Sequence, residues 1–289
     1  MHIRTAVIPV AGAGSRVFPV TTAIEKCLMP VYAGSASRPL IDFMVQDCAA
    51  AGIERIIFVT SERGRRQLQD YFGPDLTDTL RRQLRRIGKD DFIERETQRR
   101  RSYGVSFEYV IQSPDEYGTT VPPYICRDRL AGEPAFALMG GDDFIYHPDG
   151  TSELRLAIDA WSHSGADHAI MGAPLAREAA TRYGNLDVSD GSRLRRFDEK
   201  PPLERVAANP VINISRYILS DKIWKHLEYE MSLDRGTEEH LITHAITAAL
   251  EDGQSFYVHR IQGEYLDGGS FDGLLQASQY ITAHPPTGR

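Results

Sequence analysis

The densest chemistry in this sequence lies near its amino terminus. A small-residue turn, Ala11-Gly12-Ala13-Gly14-Ser15, follows a β-branched run, and Arg16 and Lys26 come after it. Glycines let backbone N–H groups approach a phosphate or a base closely. Two fixed cations nearby suit a nucleoside triphosphate. Two common phosphate cradles are excluded. A dinucleotide fingerprint needs a third glycine where Val17 stands, and a P-loop needs a closing Gly-Lys-Ser/Thr that is absent. Further along, Asp142 and Asp143 close an apolar run, at the kind of strand end where open α/β sheets bind ligands. His240 and His244 stand four apart, which is metal-ligand spacing, but the intervening Leu-Ile-Thr lacks the glutamate of a zinc helix. They read as the polar face of a helix. Cys27, next to Lys26, reads as a small packing residue.

These residues need elements to position them. Residues 4–10 read as a buried first strand feeding the glycine turn. Residues 39–51 carry helical spacing and stop at Gly52, and 54–60 is a second buried strand. Strand, helix and strand in this order predict a parallel sheet with a right-handed crossover. Residues 61–101 are polar and helical. Strands are expected at 105–112, 134–146, 167–174 and 211–219, with an antiparallel excursion at 185–201. Helices are expected at 152–163 and 240–253. The stretch 256–270 is expected to end the sheet, with a short helix from 271. The fold class is α/β, a Rossmann-like mixed and mostly parallel sheet flanked by helices. A single domain is expected over 1–289, with a helical basic insertion near 76–101.

Composition narrows the function classes. The chain has 289 residues, 42% hydrophobic and 25% charged, enough to bury a full core. No run approaches the ~18 apolar residues of a membrane span, and the start lacks a signal-peptide layout. Three cysteines (Cys27, Cys48, Cys126) fit neither a disulfide framework nor a zinc site, so a reducing cytoplasm is expected. With 33 basic and 40 acidic residues the net charge is −7, which disfavours nucleic acid and membrane surfaces as partners. Residues 81–101 depart from this: nine Arg/Lys against four acids make a local +5 and leave −12 for the remainder. Four acids and no interleaved aromatic run, with only Phe92 and Tyr103 nearby, make that segment a solvated helix or a subunit contact rather than a nucleic-acid site.

The stretch VIPVAGAGSRVFPVTTAIEKCLMP (7–30) resembles the signature of the sugar-1-phosphate nucleotidyltransferases. The resemblance continues in order through PLIDFMVQDCAAAGIERIIFVT, FEYVIQ, GDDFIY, RYG, EKP (199–201), SRYIL and LDGGSFDGLLQA, so it spans nearly the whole chain. It implies attack of a sugar 1-phosphate oxygen on the α-phosphorus of a nucleoside triphosphate, with pyrophosphate leaving in line. Arg16, Lys26 and Lys200 would be the catalytic cations, Arg16 and Lys26 on the triphosphate and Lys200 on the sugar phosphate. Ala11, Gly12, Gly14, Gln112 and Gly118 would bind the nucleotide; a glutamine both donates and accepts, which suits a pyrimidine edge. Gly184, after Tyr183, and Glu199 would meet the sugar, with Glu239 a further acid near it. Asp142 and Asp267 would hold Mg²⁺, with Asp143 the adjacent candidate; one or two carboxylates suffice for that ion.

The resemblance departs from the uridylyl branch at three places. Cys27 replaces the glutamate that directly follows the motif lysine, and Glu25 stands on the other side. QSPDEYGTTVPPY is nearer the turn of the thymidylyl enzymes. VYAGSASRPL carries extra residues. The helical insertion at 76–101 points back to the uridylyl branch, hence to UTP and glucose 1-phosphate. A thymidylyl or other sugar-1-phosphate specificity, or a non-catalytic nucleotide-sugar-binding homologue, stays open. A dead copy should lose its reacting charges, yet Arg16, Lys26, Asp142 and Lys200 are all present. The resemblance also implies a homodimer or homotetramer.

Overall fold

Alternation of side chains decides what the first strand touches. In β1 (Thr5–Pro9), Ala6 and Ile8 enter one apolar layer while Val7 enters the other. A strand buried on both faces therefore reads as a continuous β-branched run. The computed structural model describes residues 2–34, 36–189 and 191–287.

After β1 the chain passes through three 3-10 turns into a hairpin, β2 (Pro30–Ala33) and β3 (Ala36–Pro39), then α1 (Leu40–Ala51). The stretch VYAGSASRPL, which carries the extra residues, falls on this hairpin, except Leu40, which opens α1, and Ser35, which lies outside the described residues. Gly52 caps α1 in the left-handed conformation, as its sequence position suggested. β4 (Arg55–Thr60) follows, then three helices, α2 (Glu62–Phe72), α3 (Asp78–Arg86) and α4 (Asp90–Ser102), before β5 (Ser106–Ile111). Next come α5 (Val121–Ile125), β6 (Ala135–Met139), β7 (Asp143–Tyr146), α6 (Glu153–Ser164), β8 (His168–Pro174) and α7 (Arg177–Ala180). The hairpin β9 (Asn185–Val188) and β10 (Leu194–Asp198), β11 (Val211–Ser220), α8 (Trp224–Ser232), α9 (Ile242–Glu251), β12 (Phe256–Arg260), β13 (Glu264–Asp267) and α10 (Phe271–Ala283) complete the order.

The main sheet runs β10-β9-β11-β6-β1-β4-β5, with β8 and β12 branching beside β11. β6, β1, β4 and β5 are parallel, while β11 is antiparallel to β6, β8 and β9. Two apolar layers cover its faces: Met44, Leu154 and Leu274 from α1, α6 and α10 on one, Leu227 and Ile246 from α8 and α9 on the other.

Four expectations are corrected. The run 134–146 is two strands, because the chain breaks at Gly140-Gly141 and β7 leaves the main sheet to pair with β13. The stretch 256–270 therefore ends two sheets: β12 stays in the main one and β13 joins the ribbon. The last helix is long, 13 residues, since its apolar face (Leu274, Ala277, Ile281) keeps helical spacing throughout. The basic segment is also not uniformly solvated. Arg100 is buried and donates to the carbonyls of Asp70, Gly73 and Asp75, and Arg99 reaches Asp42 on α1. Arg82, Arg85, Arg86, Lys89, Arg95 and Arg101 remain exposed. No helix among the described residues is long and apolar enough to cross a membrane.

A buried carboxylate ties the outer layer to the ribbon. Glu153 at the start of α6 accepts hydrogen bonds from the rings of His147 (2.8 Å) and His259 (2.6 Å) and from the N–H groups of Gln262 and Gly263. Burial pushes its carboxyl up, but these donors overrule it and hold it at about 2. An unfolded glutamate titrates near ~4.3, so the donors stabilise the fold fully above that pH, and the contribution is lost as the pH falls toward 2. The difference is on the order of 3 kcal/mol. Glu153→Gln should thus lower stability at pH 7, and its deficit should vanish below about pH 2 in acid unfolding followed by circular dichroism. A deficit unchanged across that range would refute the assignment.

Candidate active site

The cleft opens where β1 and β6 end. Val10 closes the ladder by donating to Val59. From there the N–H groups of residues 11–14 make no hydrogen bond among the described residues. Gly14 takes φ +63, and a Cβ there would fall 2.7 Å from Thr21 and 3.2 Å from Lys26, so the turn packs directly onto the lysine segment. Gly12, Gly14, Lys26 and Asp142 line a cavity of about 290 Å³.

Asp142 is the hub. Its Oδ2 accepts from Lys26 Nζ at 2.7 Å and Arg16 Nη2 at 3.1 Å. Burial pushes its carboxyl up, but the charges of Lys26 and then Arg16 prevail and hold it below the usual range. Asp142 is therefore an anion at any working pH. The ribbon brings Asp267 close: the Gly268 N–H donates to the Asp142 carbonyl (3.0 Å), and Asp267 Oδ1 accepts from the Gly269 N–H (2.6 Å). Gly269 lies against both Arg16 and Asp267. Asp143, the adjacent candidate, points the other way. It is buried, paired with Arg216 and bonded by Tyr265 (3.0 Å), with its oxygens already taken.

The remaining residues fall into two groups. Gln112 donates to the Glu116 carbonyl (2.8 Å), which closes the 112–116 turn. Gly118, at φ +128, lies flat on the backbone of His240, where Tyr117 and Thr120 pair on either side. Any Cβ at 118 would sit 2.4 Å from the His240 N and O, so glycine is required there. On the far side, Gly184 accepts the Asn213 N–H (2.7 Å) and lies beside Glu199 and the Phe197 ring. Lys200 holds φ +41, rare for a residue with a side chain, and stands exposed 4.0 Å from Glu199. Burial pushes the Glu199 carboxyl up, partly offset by Lys200 and His244. Glu239 pushes the Tyr117 hydroxyl up, so that acid lies beside Tyr117. His240 and His244 share Glu230, His240 through its carbonyl and His244 through its carboxylate, and His240 lies outside α9, which starts at Ile242. This supports the polar reading but corrects the helix boundary.

Sequence reasoning missed part of the wall. Ser215 and Tyr217 line the cavity from a bulge in β11, where Ser215 takes φ +54 and accepts the Gly140 N–H (2.7 Å). The only signal was SRYIL, read as a plain strand. Thr119 and Cys27 also line it. Burial drives the Cys27 thiol far up, so it stays protonated, in keeping with a packing role.

This arrangement matches known proteins along nearly its whole length. Residues 5–284 match the sequence pattern of the nucleotidyl transferase family. The chain belongs to that family. A relative in Bacillus subtilis, a UTP–glucose-1-phosphate uridylyltransferase, is 31% identical over 279 residues, covering 94% of this chain and 89% of its own. The UTP-bound UGPase of Acinetobacter baumannii superposes with a TM-score of 0.83 at 29% identity, over 99% and 95% of the two chains. A UDP-glucose pyrophosphorylase complexed with UDP-glucose gives 0.79 at 25%, over 98% and 99%. A nucleotidyl transferase has two polyanions to align, and this site puts four open N–H donors and two cations at one sheet edge.

Proposed function

We propose that the protein transfers the uridylyl group of UTP to glucose 1-phosphate, giving UDP-glucose and pyrophosphate. The observation that carries this is the convergence of Arg16 and Lys26 on Asp142 beside the open N–H groups of 11–14. The uridylyltransferase relatives and the UTP- and UDP-glucose-bound structures support the choice of substrates. The sugar phosphate oxygen attacks the α-phosphorus and pyrophosphate leaves in line. The protein's part is alignment and charge, so no covalent enzyme intermediate is needed. Ala11, Gly12 and Gly14 bind the triphosphate through backbone, while Arg16 and Lys26 stabilise the charge moving to the leaving group. Gln112 and Gly118 form the base site. Gly184, Glu199 and Lys200 hold the sugar phosphate.

Mg²⁺ fits the donor chemistry of Asp142 and Asp267. One oxygen of each is fixed, Asp142 Oδ2 by two hydrogen bonds and Asp267 Oδ1 by one, and the other has no hydrogen-bond partner among the described residues. Hard carboxylate oxygens of this kind suit a cation that takes one or two carboxylates alongside phosphate and water. When bound it would neutralise charge on the triphosphate oxygens. The three cysteines are free and buried, which supports a cytoplasmic setting.

The decisive experiment crosses UTP, dTTP, ATP and GTP with several sugar 1-phosphates and Mg²⁺, following pyrophosphate. Release should be fastest for UTP with glucose 1-phosphate. A preference for dTTP would move the protein to the thymidylyl reaction, and silence in every well would leave a nucleotide-sugar-binding protein.

A further inference from the structure

The segment carrying Lys26 has little backbone support of its own. It consists of 3-10 turns, Val20–Thr22 and Lys26–Leu28, a tight helix used only in short pieces. Its support comes from α2. Arg63 Nη1 donates to the Thr22 carbonyl (2.9 Å), and Gln67 Nε2 donates to that of Ala23 (3.0 Å). Gln67 Oε1 in turn accepts the Glu25 N–H (2.9 Å). The Glu25 side chain, 6% exposed, points away from solvent and accepts from Ser61 Oγ (2.8 Å) and Arg63 Nε (3.0 Å). Ser61 also caps α2 by accepting the Gly64 N–H, so one hydroxyl fixes both the helix start and the loop. Gly64 permits the approach: a methyl there would fall 2.2 Å from Thr60 Oγ1 and 3.2 Å from Glu25 Cγ.

We propose that Glu25 is a positioning residue for Lys26, and that the first two turns of α2 are the mount that aims the lysine into the cleft. The proposal rests on the reading of Lys26 as a triphosphate contact. Glu25 touches no substrate. It anchors the peptide whose next residue supplies the cation, and Arg63 balances its charge so that the anchor can sit inside. The carboxylate beside the motif lysine thus stands behind the lysine in this chain, while Cys27 faces the cleft. Misplacing a reacting group by about 1 Å costs on the order of 100-fold in rate, and that is the scale expected when the mount is cut.

The test is a double-mutant cycle. Turnover, the KM for each substrate and thermal unfolding are measured for Glu25→Gln, Arg63→Met, Gly64→Ala, Lys26→Ala, and each of the first three combined with Lys26→Ala. Each of the first three should lower kcat about 10- to 100-fold and leave the KM for glucose 1-phosphate within about twofold. In the Lys26→Ala background each should cost less than about twofold, because its target is gone. Gly64→Ala removes no charge but drives its methyl against Thr60 and Glu25, so its loss should come with a lower unfolding temperature, and the Lys26→Ala background separates the two effects. Arg63→Met, altering a half-exposed side chain, carries the cycle if Glu25→Gln does not fold. Equal losses with and without Lys26 would mean that α2 acts through general stability, and would overturn the proposal. So would an unchanged kcat in Glu25→Gln and Arg63→Met alongside a dead Lys26→Ala. Full turnover in Lys26→Ala would overturn the reading of Lys26 itself, and the positioning role with it.

Discussion

In metal-free buffer, Asp142→Asn should bind UTP about tenfold more tightly than the wild type, and with Mg²⁺ it should turn over at least about a hundredfold more slowly. The two halves of this result have one cause. Asp142 holds Lys26 at 2.7 Å and Arg16 at 3.1 Å through a single oxygen, so a triphosphate must take both cations from a carboxylate. Asparagine removes that competitor and a repelling charge together. The same change removes a carboxylate from the pair proposed to hold Mg²⁺, and turnover suffers. Calorimetry in chelator measures the first half, and pyrophosphate release the second. Weaker metal-free binding by the variant would show that Asp142 orients the cations for UTP and does not compete with it.

Lys26→Ala should cost about 10³-fold in kcat, and Arg16→Ala at least tenfold less. Both cations meet the same oxygen, but they sit in different surroundings. The lysine side chain is 14% exposed and the arginine 58%. A charge with little water around it acts through a lower effective dielectric, and its work on a developing anion is larger. Water can partly replace the outer guanidinium but not the inner ammonium. Single-turnover rates at saturating UTP compare the two without interference from product release. Equal losses would place the leaving group midway between them and discard the burial argument.

Much of the fold was legible because its central strands are buried on both faces and announce themselves as β-branched runs, as in Thr5–Pro9 and Arg55–Thr60. α1 was legible at both ends through its spacing and Gly52. The run at 134–146 misled because hydropathy continues across Gly140-Gly141 while the hydrogen-bond partner changes from β1 to β13. Periodicity carries no record of which strand is the partner. The β2–β3 hairpin and α8 were missed for a related reason: β2 packs on α10 and α8 on α5, partners far away in the chain, as well as on the nearby α9. In the site, charged residues in motif order were visible. Ser215 was not, since a serine in a strand-like run gives no sign that its φ is +54. The supports of Lys26 were likewise invisible, because Ser61, Arg63 and Gln67 look like the polar face of any surface helix.

The ribbon between β7 and β13 bears on how the protein comes into being. Asp143 and Tyr265, bonded across it, are 122 residues apart in the chain. On a ribosome the glycine turn, Arg16, Lys26 and Asp142 all emerge long before β13, and domains form as their sequence becomes available. A nascent chain can therefore assemble the cationic half of its cleft early, but acquires Asp267 only when the last strand docks. Activity should switch on late in synthesis, as a step tied to closure of that long loop.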